Sequence, residues 1–145
     1  MQKILLFFFF CLCGCTSTIP LTITTGAFPN TDALNRPLPV VLRIYQLSDP
    51  ANFQQSSFTD LYLHDAFSLG ASLLSKQAQV LLPNSQYHLN LKYLKKANDL
   101  GFMLLARENN HVWQLLVPIQ KTVFGTIFKI KININHNQFI SQKSR

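Results

Sequence analysis

Apolar and polar residues alternate with a period of two over most of the chain. From Thr18 to Thr24, Ile19, Leu21 and Ile23 fall on one side and Thr18, Thr22 and Thr24 on the other, which predicts a half-buried strand of β-branched residues. Pro39 to Leu47 also reads as strand, with Val40, Leu42 and Ile44 facing one way and Val41, Tyr45 and Leu47 the other around a single Arg43. A strand that is apolar on both faces is expected at the centre of a sheet. After Asp49-Pro50 the period becomes helical. Ser57 can cap a helix from Phe58, Asp60 falls in its first turn, and Phe58, Leu61, Tyr62, Ala66 and Leu69 recur at helical spacing until Gly70 stops it.

Gln77 to Leu82 predicts a strand that ends at Pro83-Asn84, and Tyr87, Leu89, Leu91 and Tyr93 then alternate with polar residues, so the pair reads as a hairpin. Gly101 to Arg107 and Val112 to Ile119 predict a second one. Phe128, Ile130, Ile132 and Ile134 against Lys129, Lys131, Asn133 and Asn135 form the clearest alternation of all. Beyond His136 the chain is polar and is expected to fray. About seven strands, one helical insertion and no βαβ rhythm predict a mainly β fold, a two-sheet β-sandwich. Between the first two strands lies Gly26 to Pro37, rich in turn formers; connections of that length are often functional.

The N-terminus follows another rule. Lys3 supplies a positive start, and Ile4 to Leu12 are nine consecutive apolar positions, the length of a signal-peptide core and well short of the roughly twenty needed to span a bilayer. The run ends in Leu12-Cys13-Gly14-Cys15 and resembles a bacterial lipobox, with Leu12 at −3, Gly14 at −1 and Cys15 as acceptor; Cys13 stands where Ser or Ala is usual. Acceptance at Cys11 or Cys13 would put bulky Phe10 or Leu12 at −1. The cysteines occur only at positions 11, 13 and 15, so the exported domain would keep one thiol, at its first residue, with no partner for a disulfide. A soluble secreted protein cleaved nearby is the alternative. The chain is therefore read as a signal peptide at 1–14, a lipidated tether at 15–20, a sandwich at 21–136 and a frayed basic tail at 137–145. Thr16 after the acceptor, where inner-membrane lipoproteins resemble one another in carrying Asp, favours the outer membrane, with the domain facing the periplasm.

Loss of Lys3 leaves twelve basic residues against six acidic. The lysines are spread along strand faces and turns, with local concentrations at Lys92, Lys95, Lys96 and at Lys129, Lys131, and they lack the interleaved aromatics of a nucleic-acid platform. No nucleic-acid partner is expected. His64, His88, His111 and His136 are isolated, with no metal-ligand spacing. There is no Gly-x-Ser-x-Gly and no phosphate-cradling glycine loop, and the six carboxylates fall in turns or on a helix face. No enzyme, metal or cofactor is expected, and Trp113 reads as a core residue.

Arg36-Pro37-Leu38-Pro39-Val40-Val41-Leu42-Arg43-Ile44-Tyr45-Gln46-Leu47 resembles the second-strand segment of the type VI secretion lipoprotein family (TssJ, also called SciN or VasD). Phe58 to Leu74 is similar to that family's helix, Pro83-Asn84 to its Pro-Gly turn, Leu100-Gly101-Phe102 to a strand start, and Trp113 to its Trp on the following strand. Asn35, Asn84 and Gln114 depart from the pattern. The resemblance implies a transthyretin-like sandwich tethered beneath the outer membrane, and a partner, the periplasmic C-terminal part of the inner-membrane protein TssM. It implies that the loop after the first strand binds it: Gly26, Ala27, Phe28, Pro29, Asn30, Thr31, Asp32, Ala33, Leu34 and Asn35. Phe28 and Leu34 would be the apolar anchors, unless they fold back on their own core, and Asp32 the orienting charge. A second class stays open: a periplasmic lipoprotein that binds a small ligand or inhibits an exported enzyme, with a pocket lined by Tyr45 and Tyr87.

Overall fold

The structure, a computed structural model, describes residues 17–108, 112–123, 125 and 127–144. Residues 1–14, read above as a signal peptide, together with Cys15 and His111 lie outside the described residues. Eight strands form two four-stranded sheets. The first has the order β4 (Gln86–Lys92), β1 (Thr18–Thr25), β7 (Ile130–Asn135), β8 (Gln138–Ser144). The second has the order β3 (Leu73–Leu81), β2 (Val40–Leu47), β5 (Asp99–Leu105), β6 (Gln114–Pro118). Pairing is antiparallel except between β1 and β7, which run in parallel.

The period-two pattern determines the core between the sheets. Ile19, Leu21 and Ile23 of β1 and Ile130, Ile132 and Ile134 of β7 are buried against Val40, Leu42 and Ile44 of β2 and Leu100, Phe102 and Leu104 of β5. Each such side chain contributes about 1.5–3 kcal/mol of transfer free energy. On the odd-numbered face of β2, Tyr45 and Leu47 are buried under a third layer while Val41 and Arg43 are half-buried, and β2 is central as its composition predicts. That layer consists of α1 (Ala51–Gln55), α2 (Phe58–Leu69) and a short 3-10 turn, and it places Phe53, Leu61 and Leu69 on Tyr45, Leu47 and Met103. Gly101 lets it come close: a Cβ there would lie 2.8 Å from the Phe53 ring.

A charge cluster around the buried Asp65 fastens α2 to the second sheet. Ser57 and Asp60 form a capping box at its start, and Gly70 takes a left-handed φ of 52° at its end. Midway, His64 departs from helical geometry. In a continuous helix the Tyr62 carbonyl would accept from the Ala66 N–H; here Arg43 Nη1 donates to the Leu61 and Tyr62 carbonyls at 2.9 and 3.1 Å, and the Ala66 N–H donates to Asp65 Oδ1 at 2.8 Å. The kink thus exchanges ladder bonds for bonds to β2. Asp65 also receives Lys76 Nζ at 2.9 and 3.0 Å and the Tyr45 hydroxyl at 3.2 Å. Burial opposes ionisation of Asp65, but Lys76 and these donors hold its carboxyl below the usual range. Burial, aided by the Asp65 charge and opposed by Arg43, pushes the Tyr45 hydroxyl up to about 12.

Three sequence expectations change. β3 and β4 are not a hairpin, because β3 pairs with β2 and β4 with β1. The segment at Pro83-Asn84 carries the chain between sheets and is held by the end of β1: Thr25 Oγ1 donates to the Leu82 carbonyl at 2.6 Å and accepts from Ser85 N–H at 2.9 Å. The C-terminal segment is not a frayed tail. His136 and Asn137 both have positive φ, 49° and 59°, which makes a tight turn matched to strand twist, and β8 then pairs along β7 with Phe139 buried. The tether is shorter than 15–20, because β1 begins at Thr18 and Ile19 is buried.

Gly101→Ala is expected to destabilise the fold by about 1–3 kcal/mol through displacement of Phe53, read as a lower urea midpoint. The depressed Asp65 pKa means that its contribution is complete above the unfolded carboxylate value near 4 and is lost as pH falls through the folded value. Asp65→Asn should therefore lower the urea midpoint at pH 7 and flatten its decline below about pH 4.

Candidate functional site

The segment from Gly26 to Pro39 stands at the end of the sandwich opposite the point where the described chain begins. β1 connects the two, and eight residues at about 3.3 Å each separate them by about 26 Å. The base of the loop is fixed to the first sheet. Gly26 N–H donates to the Ile134 carbonyl at 2.9 Å, Phe28 N–H to Asn135 Oδ1 at 3.0 Å, and His136 N–H to the Phe28 carbonyl at 2.7 Å.

Asn30 ties the middle to the second sheet. It is 8% exposed, its Nδ2 donates to the Pro39 carbonyl at 3.0 Å, and its Oδ1 accepts from the N–H groups of Thr31 and Arg107 at 3.1 and 3.0 Å. Pro29 is buried beside it. Asp32 organises the tip: Oδ1 accepts from Leu34 and Arg36 N–H at 2.8 and 2.9 Å, and Oδ2 pairs with Arg36 Nε at 2.6 Å. The Arg36 backbone bond first, then the Arg36 guanidinium and the Leu34 N–H, hold the Asp32 carboxyl below its ordinary value. Asn35 completes the turn in the left-handed region, where Asn stands in for Gly.

The two apolar residues singled out in this loop separate. Leu34 projects from the tip and is 72% exposed, whereas Phe28 is 39% exposed and leans on the His136 ring at 6.1 Å. Phe28, Thr31, Asn35, His136 and Asn137 surround an open depression of about 410 Å³. Gly26 and Ala27 are half-buried, Thr31 and Asp32 likewise, and Ala33 and Asn35 are exposed. Both oxygens of Asp32 are engaged within the loop. The part played by His136 and Asn137 was hidden in sequence, because they follow a strand more than one hundred residues away; their only local signal is an Asn after His at a strand end.

The ligand-pocket alternative loses its geometry. Tyr45 is fully buried beneath the helices, while Tyr87 sits on β4 in the other sheet and its hydroxyl accepts from Leu82 N–H at 2.8 Å. The two rings do not line one cavity. His88 Nδ1 lies 3.1 Å from Thr22 Oγ1, and among the described residues no three His, Cys, Asp or Glu side chains converge as metal ligands. Trp113 is half-buried against the helical layer, edge-on to Phe58 at 5.2 Å.

The fold is similar to those of several solved structures. The type VI secretion lipoprotein TssJ1 from Pseudomonas aeruginosa superposes with a TM-score of 0.80 at 18% identity, over 90% of this chain and 97% of that one. Serratia marcescens Lip, a membrane-bound component of the type VI secretion system, gives 0.77 at 17% identity, over 89% and 97%. A chain of the structure described as the TssM C-terminal domain from EAEC gives 0.68 at 21% identity, over 85% and 95%. No curated protein sequence matches the chain. The model of the type VI secretion lipoprotein family (VasD, EvfM, TssJ) matches residues 17–138, nearly the whole described domain, and the chain belongs to that family.

Proposed function

We propose that this protein is a lipid-anchored structural component of a type VI secretion membrane complex. Acylated Cys15 holds it in the outer membrane, and the Gly26 to Asn35 loop docks the periplasmic C-terminal part of a TssM-like inner-membrane protein. One observation carries the reading: the loop is a braced projection at the pole remote from Ser17, where the described chain begins, with an exposed leucine at its tip. A lipid at Cys15 fixes one end of β1 at the membrane, and the strand then directs Leu34 away from it into the periplasm. Family membership and the likeness to a chain from a TssM structure support the same partner.

The chemistry of the loop suits protein recognition. Asn30 and Asp32 settle its conformation before any partner arrives, which reduces the entropy lost on docking. Leu34 supplies desolvatable area, and the depression between Phe28 and His136 gives a partner side chain somewhere to enter. The reading requires no catalytic step. Acylation supplies about 0.8 kcal/mol per buried CH₂, so two or more chains anchor stably without a spanning helix.

Leu34→Asp is expected to weaken binding of the TssM periplasmic region by more than about tenfold with an unchanged melting temperature, measured by titration calorimetry and thermal unfolding. Unchanged affinity, or unchanged affinity after deletion of Phe28 to Leu34 in a folded protein, would move the site elsewhere. Cys15→Ser is expected to abolish incorporation of labelled palmitate and to release the domain from the membrane; retained label would refute acylation there.

A further inference from the structure

Lysines that look dispersed in sequence are gathered by the topology onto one side of the molecule. The six acidic residues are Asp32, Asp49, Asp60, Asp65, Asp99 and Glu108, and none lies in β1, β4, β7 or β8, or in the connections at residues 93–98 and 119–129. Those same segments carry Lys92, Lys95, Lys96, Lys121, Lys129 and Lys131, all exposed, and Lys143 in β8. None of the six belongs to an ion pair among the described residues. The first sheet and its lower connections therefore carry no carboxylate, while the acidic residues occupy the second sheet, α2, the connection from β2 to the helices and the loops at Asp32 and Glu108.

These lysines sit at the pole where the chain emerges. Thr18 pairs with Lys92, and Tyr93 N–H donates to the Ser17 carbonyl at 2.9 Å. Lys121 Nζ lies 4.2 Å from the centre of the Tyr93 ring, which brings the 119–128 connection beside the 93–98 turn. β7 runs parallel to β1 with Ile130 opposite Leu21, so Lys129 and Lys131 begin at the same end. Val123, 99% exposed, projects from the tip of the connection next to Lys121. Asp49 and Asp99 reach this pole only from the second sheet, and Asp49 Oδ1 is occupied by Ala51 N–H.

We propose that this cationic pole, with the adjoining outer face of the first sheet, rests on anionic phospholipid headgroups of the membrane that holds the anchor. The proposal depends on acylation at Cys15. Two residues of chain at about 3.5 Å each separate Cys15 from Ser17, so acylation can bring Lys92, Lys95 and Lys96, beside Ser17, within about one Debye length of the headgroups, with Lys129 and Lys131 farther along the sheet. Phosphate charge then attracts each lysine, by roughly fivefold in affinity per residue close to the surface. Val123 adds an apolar contact at the interface. The lipid alone would leave the domain free to pivot; the lysine face selects one orientation and keeps the opposite loop pointing away.

The test uses the full-length acylated protein in vesicles of phosphatidylcholine, or of phosphatidylcholine mixed equally with phosphatidylglycerol. Brief amine acetylation and mass spectrometry read each lysine. Lys95, Lys96 and Lys121 should label about fivefold or more slowly on the anionic vesicles, with protection lost at about 0.5 M salt, and Lys76 on the helical side should label equally on both. Lys95→Glu/Lys96→Glu/Lys121→Glu should still float with either vesicle while Lys92 and Lys129 lose their protection. Equal labelling on the two vesicle types would overturn the proposal and leave the face to a protein or polysaccharide. Flotation on neutral vesicles reads the anchor separately: its absence would overturn acylation and the proposal with it, whereas flotation with equal labelling on the two vesicle types would overturn the lysine face alone.

Discussion

Strand β1 is the constraint on which the rest of the molecule depends. It pairs antiparallel with β4 on one side and parallel with β7 on the other, and its inward side chains are buried under the second sheet. A strand hydrogen-bonded along both edges cannot slide without moving Ile19, Leu21 and Ile23 from core to solvent. The separation between the chain's entry at Ser17 and the loop at Gly26 is therefore a fixed length. Thr25 at its end also captures the crossing between the sheets, so the same strand organises both the start of the loop and the passage from β3 to β4.

The second sheet gains rigidity from a different source. β2 is covered on both faces, and a polar cluster orients the outer layer. Arg43 completes helix carbonyls freed at the His64 kink, while Asp65 gathers Lys76 and Tyr45. A buried carboxylate with this many donors specifies one position for α2, since any shift would leave a charge uncompensated. The braced sheet then holds the loop through Asn30, which bonds at once to the end of the loop at Pro39 and to Arg107 beyond β5. Charge segregation follows from the layered plan: the helical layer and the second sheet take the carboxylates, and the first sheet faces outward with lysine.

Much of this is legible in a sequence whose local preferences agree with its fold. The alternation in β1, β2 and β7, the capping box at Ser57, the stop at Gly70 and the β5 to β6 hairpin all arise from interactions within a few residues. The family resemblance in the second-strand segment agrees with the family match and adds the expected fold. The β3 to β4 connection misleads because a Pro-Asn break between two strand patterns looks the same whether the strands pair or part. Partner choice is decided by which edge is free, a property of the whole sheet. The β7 to β8 turn lacks a glycine, and His136-Asn137 adopts left-handed geometry that sequence seldom signals.

The candidate loop shows the same division. Sequence by itself determined that Gly26 to Asn35 is a long connection rich in turn formers, that β2 is apolar on both faces, and that nine consecutive apolar positions follow Lys3. Those are consequences of composition and period, which act locally. Tertiary structure alone decided that Asp32 bonds within its own loop, that Phe28 leans on His136 while Leu34 is exposed, and that six scattered lysines share the side of the molecule where the described chain begins. Each of these depends on strands distant in sequence becoming neighbours, and only the pairing of β1 with β4 and β7 makes them so.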